Sequence, residues 1–295
     1  MGAERESWEA SDYARLVRRP QPSDHKGTRG RVLVVGGAPG LTGAVCLAAD
    51  AALRAGAGYV TVAVPAPSLR VVEIKLTVPV KIALPAQADG TLLPEAAEVV
   101  VRAARQADAV VLGPGLGRSD ATASVVRDLV ARLTLPLLLD ADALHALGSD
   151  LSLVAARTAP TVLTPHAGEA ARLLGITRDA VDADRDGVAQ ALAVGSATAL
   201  LKGPGTLVAG AGRLVLNPSG GAGLATLGTG DVLSGIVGTL LAQGTPSLEA
   251  AALGAYLHGL AGEAAAEDLT AVCCTAEDVV AYLPEAFRPL LADGA

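Results

Sequence analysis

Short runs rich in β-branched residues and leucine recur along this chain, separated by Ala/Leu-rich stretches with helical spacing. The runs VLVV (32–35), AVVL (109–112) and LPLLL (135–139) are apolar throughout rather than alternately. A strand with one face in water alternates apolar with polar side chains; a continuously apolar strand needs cover on both faces. Strands that alternate with helices also need crossover connections, which join parallel neighbours. The pattern predicts an α/β fold with a mainly parallel central sheet covered by helices on both faces.

Strands are expected at 31–35, 59–64, 80–84, 109–112, 135–139, 161–163 and 198–202. A β-hairpin is expected from 206–209 and 213–216 around Gly210-Ala211-Gly212. Helices are expected at 42–55, 94–106, 121–132, 168–174, 185–194, 231–242 and 247–267. Residues 1–29 are polar and broken by Pro20 and Pro22, and read as an N-terminal arm with one short helix. Residues 30–295 read as one domain, with no internal repeat and no linker inside it.

The 295 residues are 51% apolar but only 2% aromatic, which suits helices packed closely on a sheet better than base-stacking platforms. Net charge is -7 and the sequence pI is about 5.1, so no basic stripe for nucleic acid is present. An anionic ligand must be held locally, by backbone N–H groups and a few cations. The uncharged run 32–49 is broken by Gly36, Gly37, Pro39, Gly40 and Gly43, and so reads as strand, loop and helix start rather than a membrane span. Three cysteines, Cys46, Cys273 and Cys274, and no apolar leader after Glu4 lead to the expectation of a soluble cytoplasmic protein.

In open α/β sheets ligands sit where strands end and loops lead into helices. Six such loops carry unusual chemistry. GGAPGLTG (36–43) lacks the spacing of a dinucleotide fingerprint, and its glycines serve either a ligand or close packing. GPGLG (113–117) has more glycine than a turn requires, and reads as backbone that touches ligand. Asp140 and Asp142 read as helix-capping carboxylates, or as a pair holding Mg²⁺ through water. In TPHAGE (164–169), His166 is either a satisfied structural residue or, from its place in a strand-to-helix loop, a donor to a ligand, and Glu169 is placed to cap the next helix or orient a metal-bound water. KGPGT (202–206) is not a Walker loop, because a strand follows it; Lys202 offers a positive charge or a solvated strand end.

The strongest signal is GLATLGTGD (223–231), running into a helix. Gly228 and Gly230 free the N–H groups of the first turn, where the helix dipole favours a phosphate or an oxyanion. Asp231 there is either an ordinary cap or, since a carboxylate beside a phosphate is costly unless it takes a proton, a general base.

Taken together, these motifs resemble the ADP/ATP-dependent NAD(P)H-hydrate dehydratases of the ribokinase-like superfamily. The matching pieces are His25-Lys26-Gly27, GGAPGLTGA, ALRAGAGYVTV, GPGLG, DADAL, TPHAGE, KGPGT and GLATLGTGDVLSGI, in family order from about residue 24 to residue 265. The resemblance implies phosphorylation of the hydroxyl of (S)-hydrated NADH or NADPH from ADP or ATP, then loss of phosphate to regenerate NAD(P)H. It implies Asp231 as catalytic base; Ala44, Gly115, His166 and Asp231 as substrate contacts; and Lys202, Gly203, Pro204, Gly205, Thr206 and Gly230 as nucleotide contacts. Gly228, Thr229 and Gly230 correspond to an anion hole, and Glu169 to an acidic residue that meets Mg²⁺ through water. A homotetramer is a further family expectation.

Two departures stand out. Where relatives often carry a Pro-Glu-hydrophobic segment, this chain has Val72-Glu73-Ile74-Lys75-Leu76 and Val78-Pro79-Val80-Lys81. Many relatives also carry a fused epimerase, and the short stretch before the matching region leads to the expectation of an epimerase on a separate chain. The competing functions are a small-molecule kinase of the same superfamily, which would stop at the phosphate ester, and a nucleotide-binding regulatory module without turnover.

Overall fold

Val32 and Val34 point to one face of the strand Arg31–Val35, Leu33 and Val35 to the other, and all four are buried in two separate cores. Two-sided burial explains the apolar runs directly. A computed structural model describes residues 3–292 of the chain. The strands are β1 (Arg5–Ser7), β2 (Arg31–Val35), β3 (Tyr59–Pro65), β4 (Val80–Leu84), β5 (Ala109–Leu112), β6 (Leu137–Leu139), β7 (Thr161–Leu163), β8 (Ala197–Leu201), β9 (Leu207–Gly210) and β10 (Arg213–Leu216). The helices are α1 (Ala10–Ala14), α2 (Thr42–Arg54), α3 (Leu69–Lys75), α4 (Glu95–Ala104), α5 (Asp120–Arg132), α6 (Asp142–Leu147), α7 (Ser152–Ala155), α8 (Ala167–Leu174), α9 (Arg178–Ala183), α10 (Arg185–Leu192), α11 (Thr229–Ala242), α12 (Ser247–Leu269) and α13 (Ala276–Ala292).

The ten strands form one sheet in the order β1-β10-β9-β8-β7-β6-β5-β2-β3-β4. From β8 through β4 every neighbouring pair is parallel; β9 is antiparallel to both β8 and β10. The core on one face takes its helical residues mainly from α2, α11, α12 and α13, and the core on the other from α4, α5, α6, α8 and α10. The chain moves from β2 outward to β3 and β4, then returns to the other side of β2 for β5. That reversal places a crevice between the C-terminal ends of β2 and β5, the position where such sheets bind ligands.

The expected hairpin forms with Ala211 and Gly212 as its turn, both at positive φ, as a type I′ connection requires. Three features go beyond the expectation. The N-terminal arm contributes not only the short helix but also an edge strand: β1, with the charged sequence RES, pairs parallel to β10. Edge strands face solvent, so no apolar pattern marks them. The departing segment 72–81 forms the end of helix α3 and the first two residues of strand β4, with Ile74 and Val78 exposed. Helix α13 runs through Pro284 and Pro289, residues that argue against a helix; burial of Val279, Val280, Leu283, Ala286 and Leu290 on one stripe outweighs them.

Helix α11 lies unusually close to α2. A Cβ on Gly235 would stand 2.1 Å from the Ala48 carbonyl oxygen and 2.9 Å from the Ala51 Cβ. This contact fixes the height at which α11 presents its N-terminus. Gly235→Ala is expected to destabilise the fold by about 1–3 kcal/mol, the overpacking cost exceeding the gain in helix propensity. Gly43→Ala, in α2 with nothing within 4 Å of the added Cβ, is expected to be neutral or stabilising. Urea unfolding of the two variants checks this; equal midpoints would show that the α2–α11 approach is not tight.

Candidate active site

The loops after β2 and β5 meet at the switch point and are bonded to each other. The Gly37 N–H donates to the Pro114 carbonyl at 2.9 Å, and the Ala38 N–H to the Gly115 carbonyl at 2.7 Å. The glycines have a steric reason. A Cβ on Gly36 would lie 2.0 Å from the Pro114 oxygen, and one on Gly113 would lie 1.9 Å from the Asp140 oxygen. Gly115, at φ +59, would place a Cβ 2.5 Å from the Leu41 oxygen and 3.1 Å from the Ala44 Cβ. Ala44 and Gly115, far apart in sequence, are thus direct neighbours, while the glycine surplus of GPGLG is explained first by loop packing.

Behind these loops lies a polar knot centred on Asp140, which is 1% exposed. Its Oδ1 accepts from Thr164 Oγ1 at 2.8 Å and from Lys202 Nζ at 2.9 Å; its Oδ2 accepts from Ser234 Oγ at 2.7 Å. The partners come from the ends of β7 and β8 and from α11. Asp142 accepts from the Gly117 N–H at 2.8 Å and from Arg118 Nε at 2.7 Å. The expectation that one of these carboxylates caps the following helix is therefore corrected: the N-cap of α6 is Ala141, without a side-chain cap, and both carboxylates tie loops together instead.

His166 is the N-cap of α8. Its Nδ1 accepts from the N–H groups of Gly168 and Glu169 at 3.0 and 3.3 Å, so the ring proton belongs on Nε2, on a side chain 60% exposed. Glu169 closes a capping box by accepting from the His166 N–H at 2.9 Å. It also lies 3.9 Å from Lys202 Nζ. Burial raises the Glu169 carboxyl above its ordinary value, against the pull of Lys202. For the Lys202 amine, burial works against the charge, but Asp140 and Glu169 outweigh it and hold the amine above its ordinary value.

Gly228 begins α11 at φ +95, where a Cβ would meet Leu47 Cδ1 at 2.6 Å. Thr229 Oγ1 donates to the carbonyls of Leu224 and Thr226, which shapes the preceding loop rather than capping the helix. Among the described residues, none accepts from the N–H groups of Thr229, Gly230 or Asp231. A Cβ on Gly230 would lie 3.4 Å from Lys202 Nζ, so the KGPGT loop and this helix start are adjacent. The three free N–H groups and the dipole make an anion site. The Asp231 carboxyl is pushed up to about 7, by burial first and then by the Asp140 charge, with Lys202 opposing.

A cavity of about 590 Å³ opens beside this helix start. All five residues of the KGPGT loop line it, together with Thr229 and Gly230. Walls that escaped the sequence reading are Asn217 and Ser219, residues 220–222, and His258 and Gly259 on α12. NPSGG at 217–221, directly after a strand, is the signal that marks the first of these. Nothing marks His258 in sequence, because it sits inside a helix. The structure thus divides the expected residues between two regions: Ala44 and Gly115 at the switch point, and Lys202–Thr206, Thr229 and Gly230 around the cavity, with Gly228 and Asp231 at the start of α11. Among the described residues no group of three or more His, Cys, Asp or Glu side chains is arranged to hold a metal ion.

Among the described residues, no helix is long and apolar enough to cross a membrane. The family model described as NAD(P)H-hydrate dehydratase matches residues 32–285. The chain is 44% identical over 274 residues to the bifunctional NAD(P)H-hydrate repair enzyme of Moorella thermoacetica, covering 92% of this chain and 52% of that protein. It is 41% identical to the ADP-dependent (S)-NAD(P)H-hydrate dehydratase of Neisseria meningitidis, covering 81% of this chain and 78% of that one. It therefore spans about half the length of the bifunctional relatives and most of the single-function one. The crystal structure of the ADP/ATP-dependent NAD(P)H-hydrate dehydratase from Bacillus subtilis, co-crystallised with ATP/Mg²⁺, superposes with a TM-score of 0.82 at 26% identity, covering 96% of this chain and 98% of that one. With the fold, the loop order and the family model in agreement, the chain belongs to the NAD(P)H-hydrate dehydratase family and has the ribokinase-like fold.

Proposed function

We propose that the protein uses ADP or ATP to dehydrate the S-epimer of hydrated NADH or NADPH, returning NAD(P)H with phosphate and AMP or ADP. The observation that carries this reading is the Asp231 carboxyl, raised to about 7, beside three unpaired helix N–H groups at the mouth of a nucleotide-sized cavity. Asp231 takes the proton of the substrate hydroxyl as its oxygen attacks the terminal phosphorus of the nucleotide. The free N–H groups of Thr229 and Gly230, with Gly228 completing the anion hole, then hold the charge of the transferring phosphoryl. The phosphate departs from the ring carbon with the bonding electrons, a ring proton is lost, and the double bond of the reduced nicotinamide is restored. Lys202 to Thr206 and Gly230 hold the nucleotide, whereas Ala44, Gly115 and the exposed His166, whose Nε2 lies 3.5 Å from the Glu169 carboxylate, meet the hydrated cofactor.

Mg²⁺ would supply charge neutralisation at the nucleotide phosphates. Glu169 is the side chain that would meet it through water, in keeping with the habit of Mg²⁺ of taking one or two carboxylates plus phosphate oxygens. The family resemblance also supports a homotetramer, a cytoplasmic location, and an epimerase as the functional partner that supplies the S-epimer. Residues 30–295 act as the dehydratase domain, with residues 1–29 as an arm added to its edge.

Incubation with hydrated NADH and ADP is expected to restore the absorbance of reduced nicotinamide in step with phosphate release. Nucleotide consumption without that recovery would identify a kinase, and binding without either would identify a regulatory module.

Asp231→Asn keeps the size of the side chain but removes the base, so kcat is expected to fall by roughly 10²-fold or more. Stability should move the other way. Because the folded carboxyl titrates near 7 and the unfolded one near its ordinary 3.8, the folded state binds more protons between those values. The Asp231 contribution to stability therefore falls as pH rises from about 4 to 7 and is level above that range. The melting temperature of the Asn variant should equal or exceed that of wild type at pH 8, by a margin that vanishes near pH 4. A variant that melts early and loses activity in proportion would remove Asp231 from the mechanism.

For wild type, kcat/KM is expected to rise with pH through an ascending limb near 7, and the Asn variant should lack that limb. A profile of identical shape in both would assign the limb to another group.

A further inference from the structure

Six polar side chains line the cavity: Lys202, Thr206, Asn217, Ser219, Thr229 and His258. Five are committed within the protein. Lys202 donates to Asp140, and Thr206 Oγ1 to the Gly203 carbonyl. Asn217 Nδ2 donates to the carbonyls of Ser219 and Ala255; Ser219 Oγ to Asn217 Oδ1 and the Tyr256 carbonyl; Thr229 Oγ1 to Leu224 and Thr226. His258 differs. It is 8% exposed on α12, and its Nε2 is enclosed with no hydrogen-bond partner. An enclosed polar atom without a partner is costly, and native structures keep one where a ligand or water completes it.

The neighbouring geometry holds the ring against the cavity. A Cβ on Gly259 would lie 2.1 Å from Ser219 Oγ, and one on Gly262 would lie 2.4 Å from Leu224 Cδ2. The absence of those side chains lets the loop 217–225 close onto α12, with the imidazole in the wall between that loop and the start of α11. Burial pushes the His258 imidazole down to about 4, against a hydrogen bond with the Thr229 backbone, so at neutral pH the ring is uncharged and Nε2 is the polar atom it has left for a ligand. Phosphates already have the free N–H groups of α11 and the Lys202 charge. An uncharged imidazole nitrogen instead suits the base or ribose of the nucleotide.

We propose that His258 is a nucleotide-contacting residue whose imidazole hydrogen-bonds the nucleoside portion of ADP or ATP and leaves the hydrated cofactor untouched. This assignment rests on the reading of the cavity as the nucleotide site.

The test is calorimetry on the full chain with two probes, ADP and inorganic pyrophosphate. In His258→Leu, ADP binding is expected to weaken roughly 5- to 10-fold, the scale of one lost hydrogen bond, with pyrophosphate binding unchanged. His258→Gln, which keeps a donor and an acceptor, should recover most of the loss. The ligand-free leucine variant should melt at or above the wild-type temperature, because the orphaned nitrogen is gone. If it melts far below wild type, the more adaptable His258→Met replaces it in the same comparison. Unchanged ADP affinity, or an equal loss for pyrophosphate, overturns the role of His258 alone. A wild-type protein that binds pyrophosphate but not ADP overturns the nucleotide reading of the cavity itself.

Discussion

The buried carboxylate of Asp140 is the interaction on which the site depends. Its three partners belong to three separate pieces of chain: Thr164 after β7, Lys202 after β8, and Ser234 one helical turn past Asp231. A buried charge is tolerable only when paired and fully hydrogen-bonded, so this arrangement admits few alternatives. The same bonds that neutralise Asp140 fix the start of the KGPGT loop and the rotation of α11. That rotation decides where Asp231 points. Asp140 also acts at a distance, because its charge adds to burial in raising the Asp231 carboxyl, and so one residue both positions the base and tunes it.

The loops around this knot can converge only because their backbones touch. Gly36 against Pro114, Gly113 against Asp140, and Gly235 against Ala48 are contacts in which a Cβ would lie about 2 Å from a carbonyl oxygen. The low aromatic content follows the same logic. Small side chains let α2 and α11 approach closely, and the approach brings the N-terminus of α11 to the level of the strand ends. Composition and site geometry are therefore one constraint seen at two scales.

Most of the sheet was legible because two-sided burial leaves a sequence signature, and the loops were legible because glycine and charge cluster where backbones meet ligands or one another. Asp231 and Gly228–Gly230 could be located from the run TLGTGD alone. What escaped depends on tertiary pairing. The strand β1 carries only RES and owes its existence to the edge of β10. The two aspartates of DAD look like caps locally, and only the placement of Lys202, Ser234 and Arg118 gives them other partners. His258 lies in an Ala/Leu/Gly helix whose pattern predicts burial; that a polar atom there faces no partner is a property of the packed structure alone.

The start of α11 holds two features that oppose each other in the resting protein. Unpaired N–H groups and the helix dipole call for an anion, yet the residue that follows them is a carboxylate whose ionisation is made difficult by burial and by Asp140. Lys202 lies close by but is held by Asp140, so it only partly offsets this difficulty. An ordinary exposed aspartate is a weak base toward a hydroxyl; one that titrates near neutrality is half prepared to take a proton. The instability of that ionised state is what makes the group basic, and the fold sustains it because the glycine contacts and the Asp140 knot hold α11 in place. Under the proposed function, nucleotide phosphates settling on the free N–H groups would make ionised Asp231 still less favourable, so the arrival of the donor would strengthen the proposed base.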